Sequence, residues 1–304
     1  MRALVISGGG SKGAFAGGVA EYLIKDCNRK YDLFIGSSTG SLLIPLLSIG
    51  EIEKLKNAFT SVQQSDVFSS SPFIIKQTPK GFKTKINHWG IIKMFLQGSK
   101  TFGTSDSLRA KIKSTFTEID FEKINKSSTE VLITVSNLSK KTVEYKSPKD
   151  CSYNDFCDWI WASANVVPFM SLMNKNGFDY ADGGMGDVVP IYQAIQQGAL
   201  EIDAIVLRTG KPIPDDSIVP IHHALDLTSR VFDFMLTQIM TDDMTLGLLE
   251  GANKHVKINI YRPEEELTTN SLIFNPEVMK HWWKLGFDIA AKLSRKEFIE
   301  EIRT

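Results

Sequence analysis

An α/β fold, with a mainly parallel central sheet flanked by helices, is expected of this sequence on three grounds. Residues 3–7 form a short apolar run that ends in Gly8-Gly9-Gly10 and gives way to a helical stretch over 11–26. Residues 31–35 repeat the pattern, ending at Gly36 before an apolar helical stretch over 41–49. The alternation resumes with strands at 178–181 and 204–208 on either side of a helix at 191–197. Short apolar runs bounded by glycine suit strands buried on both faces, and strand-turn-helix units in series build parallel sheets.

Each element has its own signal. Arg2 before an apolar run superficially resembles a leader, but the run is too short for a signal h-region and reads as the first strand. Pro45 is a candidate kink in the second helix. Residues 52–127 are mostly helical and polar, broken at Ser69-Ser70-Ser71 and Thr104-Ser105, as an insertion laid over the sheet would be. Residues 131–137 and 142–146 are β-branched and alternating around Ser139-Lys140, which predicts a hairpin. Ala224, Leu227, Val231, Phe234, Met235 and Ile239 recur at near-helical spacing within 221–250. A last strand at 257–260 and a closing helix at 276–293, bearing Trp282 and Trp283, complete the chain. No repeat, low-complexity tract or linker divides it. A single domain over 1–304 is expected, with a core at about 1–210, the helical insertion at about 52–127 and a divergent helical region at about 212–304.

Composition narrows the function classes. At 304 residues and 42% hydrophobic content the chain can bury a large core. Lys plus Arg and Asp plus Glu both total 35, so no global field draws it to nucleic acid. Cys27, Cys151 and Cys157 are odd in number and match no zinc spacing, so neither a disulfide framework nor a metal site is expected. No EF-hand loop or other cofactor signature is visible. No apolar stretch is long enough for a bilayer, and a cytoplasmic protein, at most peripheral to a membrane, is expected. Between Asp66 and Asp106 there is no acidic residue, while Lys76, Lys80, Lys83, Lys85, Lys93 and Lys100 interleave with Phe73, Ile74, Phe82, Trp89, Ile91, Met94, Phe95 and Phe102. That pattern suits docking on an anionic membrane, or equally a helix packed on the sheet with solvated lysines.

Three motifs carry chemistry. Gly36-Ser37-Ser38-Thr39-Gly40 is a G-x-S-x-G pentapeptide between a predicted strand and helix, where a sharp turn would push the serine hydroxyl outward. A plain N-cap serine is the bland reading. Gly8-Gly9-Gly10-Ser11-Lys12-Gly13 offers backbone amides that converge without side-chain obstruction, as an oxyanion requires. It is also a literal G-x-G-x-x-G, but the acidic residue that a dinucleotide site needs at the end of the second strand is replaced by Gly36-Ser37-Ser38. A Walker loop fails because Lys12 precedes the last glycine. Asp182-Gly183-Gly184 follows a predicted strand and, alone, would pass for an ordinary turn.

In this order the three motifs resemble those of the patatin-like phospholipase family, a resemblance that spans roughly residues 1–195 with a weaker echo at 274–287. Ser136-Asn137-Leu138 and Ala162-Ser163-Ala164, followed by Pro168, add to it. The resemblance implies a three-layer α/β/α fold and a lipid acyl hydrolase of phospholipase A or lysophospholipase type. It implies Ser38 as nucleophile and Asp182 as its base with no histidine between them, forming an acyl-enzyme. It implies an oxyanion hole from Gly8, Gly9, Gly10 and Ser11, chiefly the amides of Gly9 and Gly10, with Lys12 adding charge or simply solvated. Gly13, Gly36, Gly40, Gly183 and Gly184 would support the motifs, and no metal or cofactor is implied. An apolar setting for Asp182, beside Tyr180-Ala181 and Val188-Val189, would raise its pKa toward working pH. The chain departs from the pattern where Val188 and Val189, not asparagine, precede Pro190, and residues 212–269 match no motif. Two alternatives stay open. One is a Ser-His-Asp esterase drawing on His222, His223, His255 or His281, and the other is a catalytically silent lipid-binding or interaction module.

Overall fold

Strand β1 (Arg2–Ile6) begins the chain and ends at the glycine loop, whose 3-10 turn Gly10–Lys12 leads into α1 (Gly13–Glu21) and a wider turn, Tyr22–Asp26. The computed structural model describes residues 1–78, 81–96, 98–211, 220–221 and 224–303. Next come β2 (Leu33–Ser37), α2 (Thr39–Ser48), α3 (Ile52–Thr60) and the short α4 (Gln64–Val67). The insertion continues with β3 (Phe73–Thr78), β4 (Gly81–Ile86), α5 (His88–Leu96), α6 (Asp106–Thr115) and α7 (Glu118–Lys126). After β5 (Glu130–Asn137), β6 (Thr142–Lys146) and α8 (Tyr153–Ser163) follow β7 (Met173–Lys175) and β8 (Phe178–Asp182). The chain closes with α9 (Ile191–Gln196), β9 (Glu201–Ile205), α10 (Ala224–Asn253), β10 (Lys257–Tyr261) and α11 (Pro276–Arg303).

Eight strands form one sheet in the order β10-β9-β1-β2-β5-β8-β7, with β6 also on β5. The five strands from β10 to β5 are parallel, and β6, β7 and β8 are antiparallel additions. Alternation along the strands divides the core. Leu4, Ile6 and Phe34 belong to the cluster packed under α1, α2, α8 and α11, while Ala3, Val5, Leu33 and Ile35 share the opposite cluster with Ile191, Ala194 and Ile195 of α9. The result is a mixed, mostly parallel sheet between two helical layers.

Three expectations change. The insertion is not purely helical, because β3 and β4 pair as a separate antiparallel hairpin. The strand expected at 204–208 runs from Glu201 to Ile205, since its ladder follows β1 from Arg2 opposite Glu201 to Ile6 opposite Ile205. Arg2 and Glu201 also form an ion pair at 2.6 Å. The short β7 went unpredicted.

The closing helix docks on the first one at backbone distance. A Cβ on Gly18 would stand 1.8 Å from the carbonyl oxygen of Trp283, and one on Gly286 would stand 2.1 Å from that of Phe15. The buried indole of Trp283 then donates to Glu21 Oε2 at 2.6 Å.

Candidate active site

Ser38 sits where β2 turns into α2, with φ 53° and ψ −119°. Such a backbone is strained for any residue with a Cβ, and strain of this kind persists only where the surroundings enforce it. The flanking glycines are what permit it. A Cβ on Gly36 would lie 2.5 Å from the carbonyl carbon of Gly40, and a Cβ on Gly40 would lie 2.2 Å from the Ile6 carbonyl oxygen. From below, Ser163 of α8 accepts the Ser38 amide at 3.1 Å and shares a 2.7 Å hydrogen bond with Ser41, whose hydroxyl also reaches the Gly36 carbonyl.

Asp182 reaches Ser38 because two strands meet end to end. On β5, residues 130–134 pair with β2 and residues 135–137 pair with β8. Strand β6 overlaps both stretches, so β2 and β8 must share the other edge of β5. Ser37 is opposite Thr134 and Asp182 is opposite the next residue, Val135. β2 and β8 thus run toward each other and stop with Ser38 facing Asp182. The Ser38 hydroxyl donates to Asp182 Oδ2 at 2.6 Å.

The carboxylate is held on its other side as well. The Gly184 amide donates to Asp182 Oδ1 at 2.7 Å, and the Asp182 amide donates to the Asn165 carbonyl at 3.0 Å. Ser38 is 6% exposed and Asp182 3%. Burial pushes the Asp182 carboxyl up to about 7, against the hydrogen bonds from Ser38 and Gly184, which favour its ionised form.

The glycine loop passes directly over this pair. A Cβ on Gly8 would be 3.2 Å from the Ser38 Cβ. Two of the four amides expected to face an oxyanion are already engaged, since Gly8 donates to the Val188 carbonyl at 3.0 Å and Ser11 to the Ser271 carbonyl at 2.9 Å. Among the described loop and cap hydrogen bonds, the amides of Gly9 and Gly10 are not engaged. Gly10, at φ 56°, adopts a conformation that favours glycine, and a Cβ there would strike the Ser271 carbonyl oxygen. Lys12 is not solvated. It is buried, its Nζ lies 3.3 Å from Glu266 Oε1, and burial lowers its ammonium pKa despite that partner.

Ser38 and Gly10 line a cavity that is partly open to solvent. Its walls are overwhelmingly apolar, with Leu42, Leu46, Phe59, Ile112 and Ile160 supplied by α2, α3, α6 and α8 and Phe116 by the residue just after α6. Leu272 and Phe274, from the segment before α11, line it too. Gln64 holds that segment by donating to the Leu272 carbonyl at 3.0 Å and accepting the Phe274 amide at 3.0 Å.

The structure therefore brings Ser38, Asp182, the glycine loop and Gly183-Gly184 to one place, with Gly13, Gly36 and Gly40 as tight contacts around them. His255 and His281 are exposed, and His222 and His223 lie outside the described residues. Sequence reasoning missed Ser163, Asn165, Ser271 and Asp243 as site-building residues. The first two sit in or beside a stretch already noted as familiar, but nothing local marks Ser271 or Asp243. Among the described residues no helix is long and apolar enough to cross a membrane.

A family model described as patatin-like phospholipase matches residues 4–195, more than half of the chain. The chain belongs to the patatin-like phospholipase family, a family of lipid acyl hydrolases. Among solved structures it is similar to VipD from Legionella pneumophila, at 13% identity and a TM-score of 0.47, covering 96% of this chain and 66% of VipD. This chain thus spans just under two thirds of VipD. No curated protein matches it.

Proposed function

We propose that this chain hydrolyses carboxylic esters of acyl lipids through a Ser38–Asp182 dyad, as a phospholipase A or lysophospholipase. The observation that carries the reading is the 2.6 Å hydrogen bond to Asp182 from Ser38, which lines the apolar cavity. Ionised Asp182 takes the hydroxyl proton as Ser38 Oγ bonds to the ester carbonyl carbon. The amides of Gly9 and Gly10 hold the resulting oxyanion, aided by the positive end of α2. The tetrahedral adduct collapses with loss of the alcohol, which leaves with the proton from Asp182. Asp182 then deprotonates water, which attacks the acyl-enzyme, and the adduct collapses to the fatty acid as Ser38 Oγ leaves with the proton returned by Asp182. The cavity is suited to the acyl chain, each buried methylene contributing about 0.8 kcal/mol.

The same reading includes docking on an anionic lipid surface. On α5, Ile91 is buried while Trp89 and Leu96 are each 84% exposed, with Ile92 and Phe95 also exposed. Lys85 and Lys93 are exposed beside them, whereas Lys80 and the side chains of Lys76 and Lys83 lie outside the described residues. Phe95 packs on Phe102 and Phe102 on Phe169, between the cavity residues Val166 and Met170, so this face borders the cavity wall.

A fluorophosphonate probe and a lipid panel read by mass spectrometry test the catalytic part. Wild type should be labelled and release fatty acid, and Ser38→Ala should do neither. Equal labelling of both, or full loss in a His255→Gln or His281→Gln variant, overturns the dyad. For docking, Trp89→Ser with Lys85→Gln and Lys93→Gln should lower cosedimentation with phosphatidylserine vesicles at least fivefold; unchanged binding overturns it.

A further inference from the structure

Asp243 lies well inside α10, remote in sequence from every motif. Its Oδ2 accepts two consecutive backbone amides, Val188 at 2.6 Å and Val189 at 3.1 Å. The Val188 carbonyl in turn accepts the Gly8 amide at 3.0 Å. Gly8 is wedged between this strand of chain and the nucleophile, because a Cβ there would stand 3.2 Å from Ser38 Cβ and 3.8 Å from Val188 Cγ1. On the other side, the Val188 segment continues from the Asp182 turn, in which Gly186 and Asp187 both donate to the Gly183 carbonyl. Asp243 therefore grips the joint between the aspartate turn and the glycine loop.

The helix is shaped to make that grip. Gly247 is one turn beyond Asp243 and on the same face, and a Cβ there would stand 2.6 Å from Ile191 Cγ2 and 2.8 Å from Ile191 Cβ. Glycine at this position lets α10 approach closely enough for a side chain as short as aspartate to reach the two amides. Burial first, and the Asp187 carboxylate second, push the Asp243 carboxyl up to about 7. Asp187 is itself raised to about 6 by burial, with Tyr145 donating to it at 2.5 Å. Asp243 is thus a half-buried carboxylate under the influence of the buried Asp187, and the pair opposes folding where both are ionised.

We propose that Asp243 is a positioning residue, which holds Val188 and Val189 so that Gly8, and with it the Gly9 and Gly10 amides, keeps its place over Ser38. The inference rests on the dyad reading given above. A displacement of the oxyanion amides by about 1 Å is enough to lower turnover on the order of 100-fold.

The test uses the full chain, a soluble short-chain p-nitrophenyl ester and hydrogen exchange. Asp243→Ala should lower kcat at least tenfold with KM within twofold, and Asp243→Asn, which keeps an acceptor oxygen, should recover kcat to within threefold of wild type. In Asp243→Ala, amides in residues 185–190 and in residues 6–12 should exchange faster together. If the Ala variant does not fold, Gly247→Val, which keeps the carboxylate but forces α10 outward, should show the same kcat loss and the same paired exchange. A kcat within twofold of wild type in a folded Asp243→Ala variant, an Asn variant as impaired as Ala, or faster exchange confined to 185–190, overturns the proposal. Activity retained in Ser38→Ala would instead overturn the dyad reading, so the two failures are distinguishable.

Discussion

Ser38 is held at φ 53° while its hydroxyl donates to Asp182 at 2.6 Å, so the strained backbone and the buried hydrogen bond belong to one residue pair. The glycines at 36 and 40 and the abutting ends of β2 and β8 impose this arrangement. Strain and burial both oppose folding, and each yields a measurable consequence.

Ser38→Gly and Ser38→Ala should separate activity from stability. Both remove the proposed nucleophile and should reduce ester hydrolysis at least about 10³-fold. Ala keeps the Cβ that makes φ 53° costly, whereas Gly does not. Relief of roughly 1–3 kcal/mol of strain, partly offset by the entropy of glycine in the unfolded chain, should leave Ser38→Gly about 1 kcal/mol more stable than Ser38→Ala. Denaturant unfolding of the two inactive variants checks it. Equal midpoints would mean that the turn is not strained.

Asp182 ties activity and stability to pH in opposite directions. Its carboxyl titrates from 3.8 when free to about 7 when buried in the fold. The folded state thus holds the proton over a window in which the unfolded chain has lost it. The stabilising contribution of protonated Asp182 is full below about pH 4 and disappears as pH rises through about 7. Asp182→Asn cannot titrate, so its stability relative to wild type should improve steadily from pH 4 to pH 8. Activity runs the other way, because a base must be ionised: kcat/KM of wild type should climb to a plateau above about pH 7. A stability difference between the two proteins that is flat with pH would refute the raised pKa.

Much of the site was legible because its chemistry is local. The turn at Gly36 to Gly40, the glycine loop and the Asp182 turn each need particular residues at adjacent positions, and local sequence records such needs. The pairing of Ser38 with Asp182 is different. It depends on β2 and β8 sharing one edge of β5, a register concealed by a sequence separation of 144 between the two residues. Asp243 is hidden for the same reason, since its partners are backbone amides that carry no side-chain signature. The β7–β8 hairpin was missed despite a usable signal. Asn176 and Gly177, at φ 54° and 79°, form an Asn-Gly turn of the kind that joins antiparallel strands. The strand before it is only Met173–Lys175, too short for alternation to show.

The contact between α1 and α11 should be unusually intolerant of a single methyl group. A Cβ on Gly18 would fall 1.8 Å from the Trp283 carbonyl oxygen, and no rotamer change can move a backbone atom out of its way. Gly18→Ala should therefore cost about 1–3 kcal/mol, despite the better helix propensity of alanine. Trp283→Phe keeps most of the packing but leaves Glu21 without its indole donor, at a cost of about 1–3 kcal/mol. Thermal unfolding of both variants measures it, and a Gly18→Ala variant as stable as wild type would contradict the packing.

Cavity shape should set acyl-chain preference. Ile112 of α6 lies in the wall of the space into which Ser38 opens, and it is 6% exposed. Ile112→Trp should fill part of that space from the α6 side. Excluding two or three methylenes from burial removes about 1.6–2.4 kcal/mol of binding at about 0.8 kcal/mol each, which is roughly 15- to 60-fold in kcat/KM. Long-chain esters should lose that much while acetyl and butyryl esters stay within about twofold. A chain-length series of p-nitrophenyl esters on wild type and Ile112→Trp decides the point. If all chain lengths fall together, the substitution has disturbed the catalytic centre; if none falls, the acyl chain does not enter this cavity.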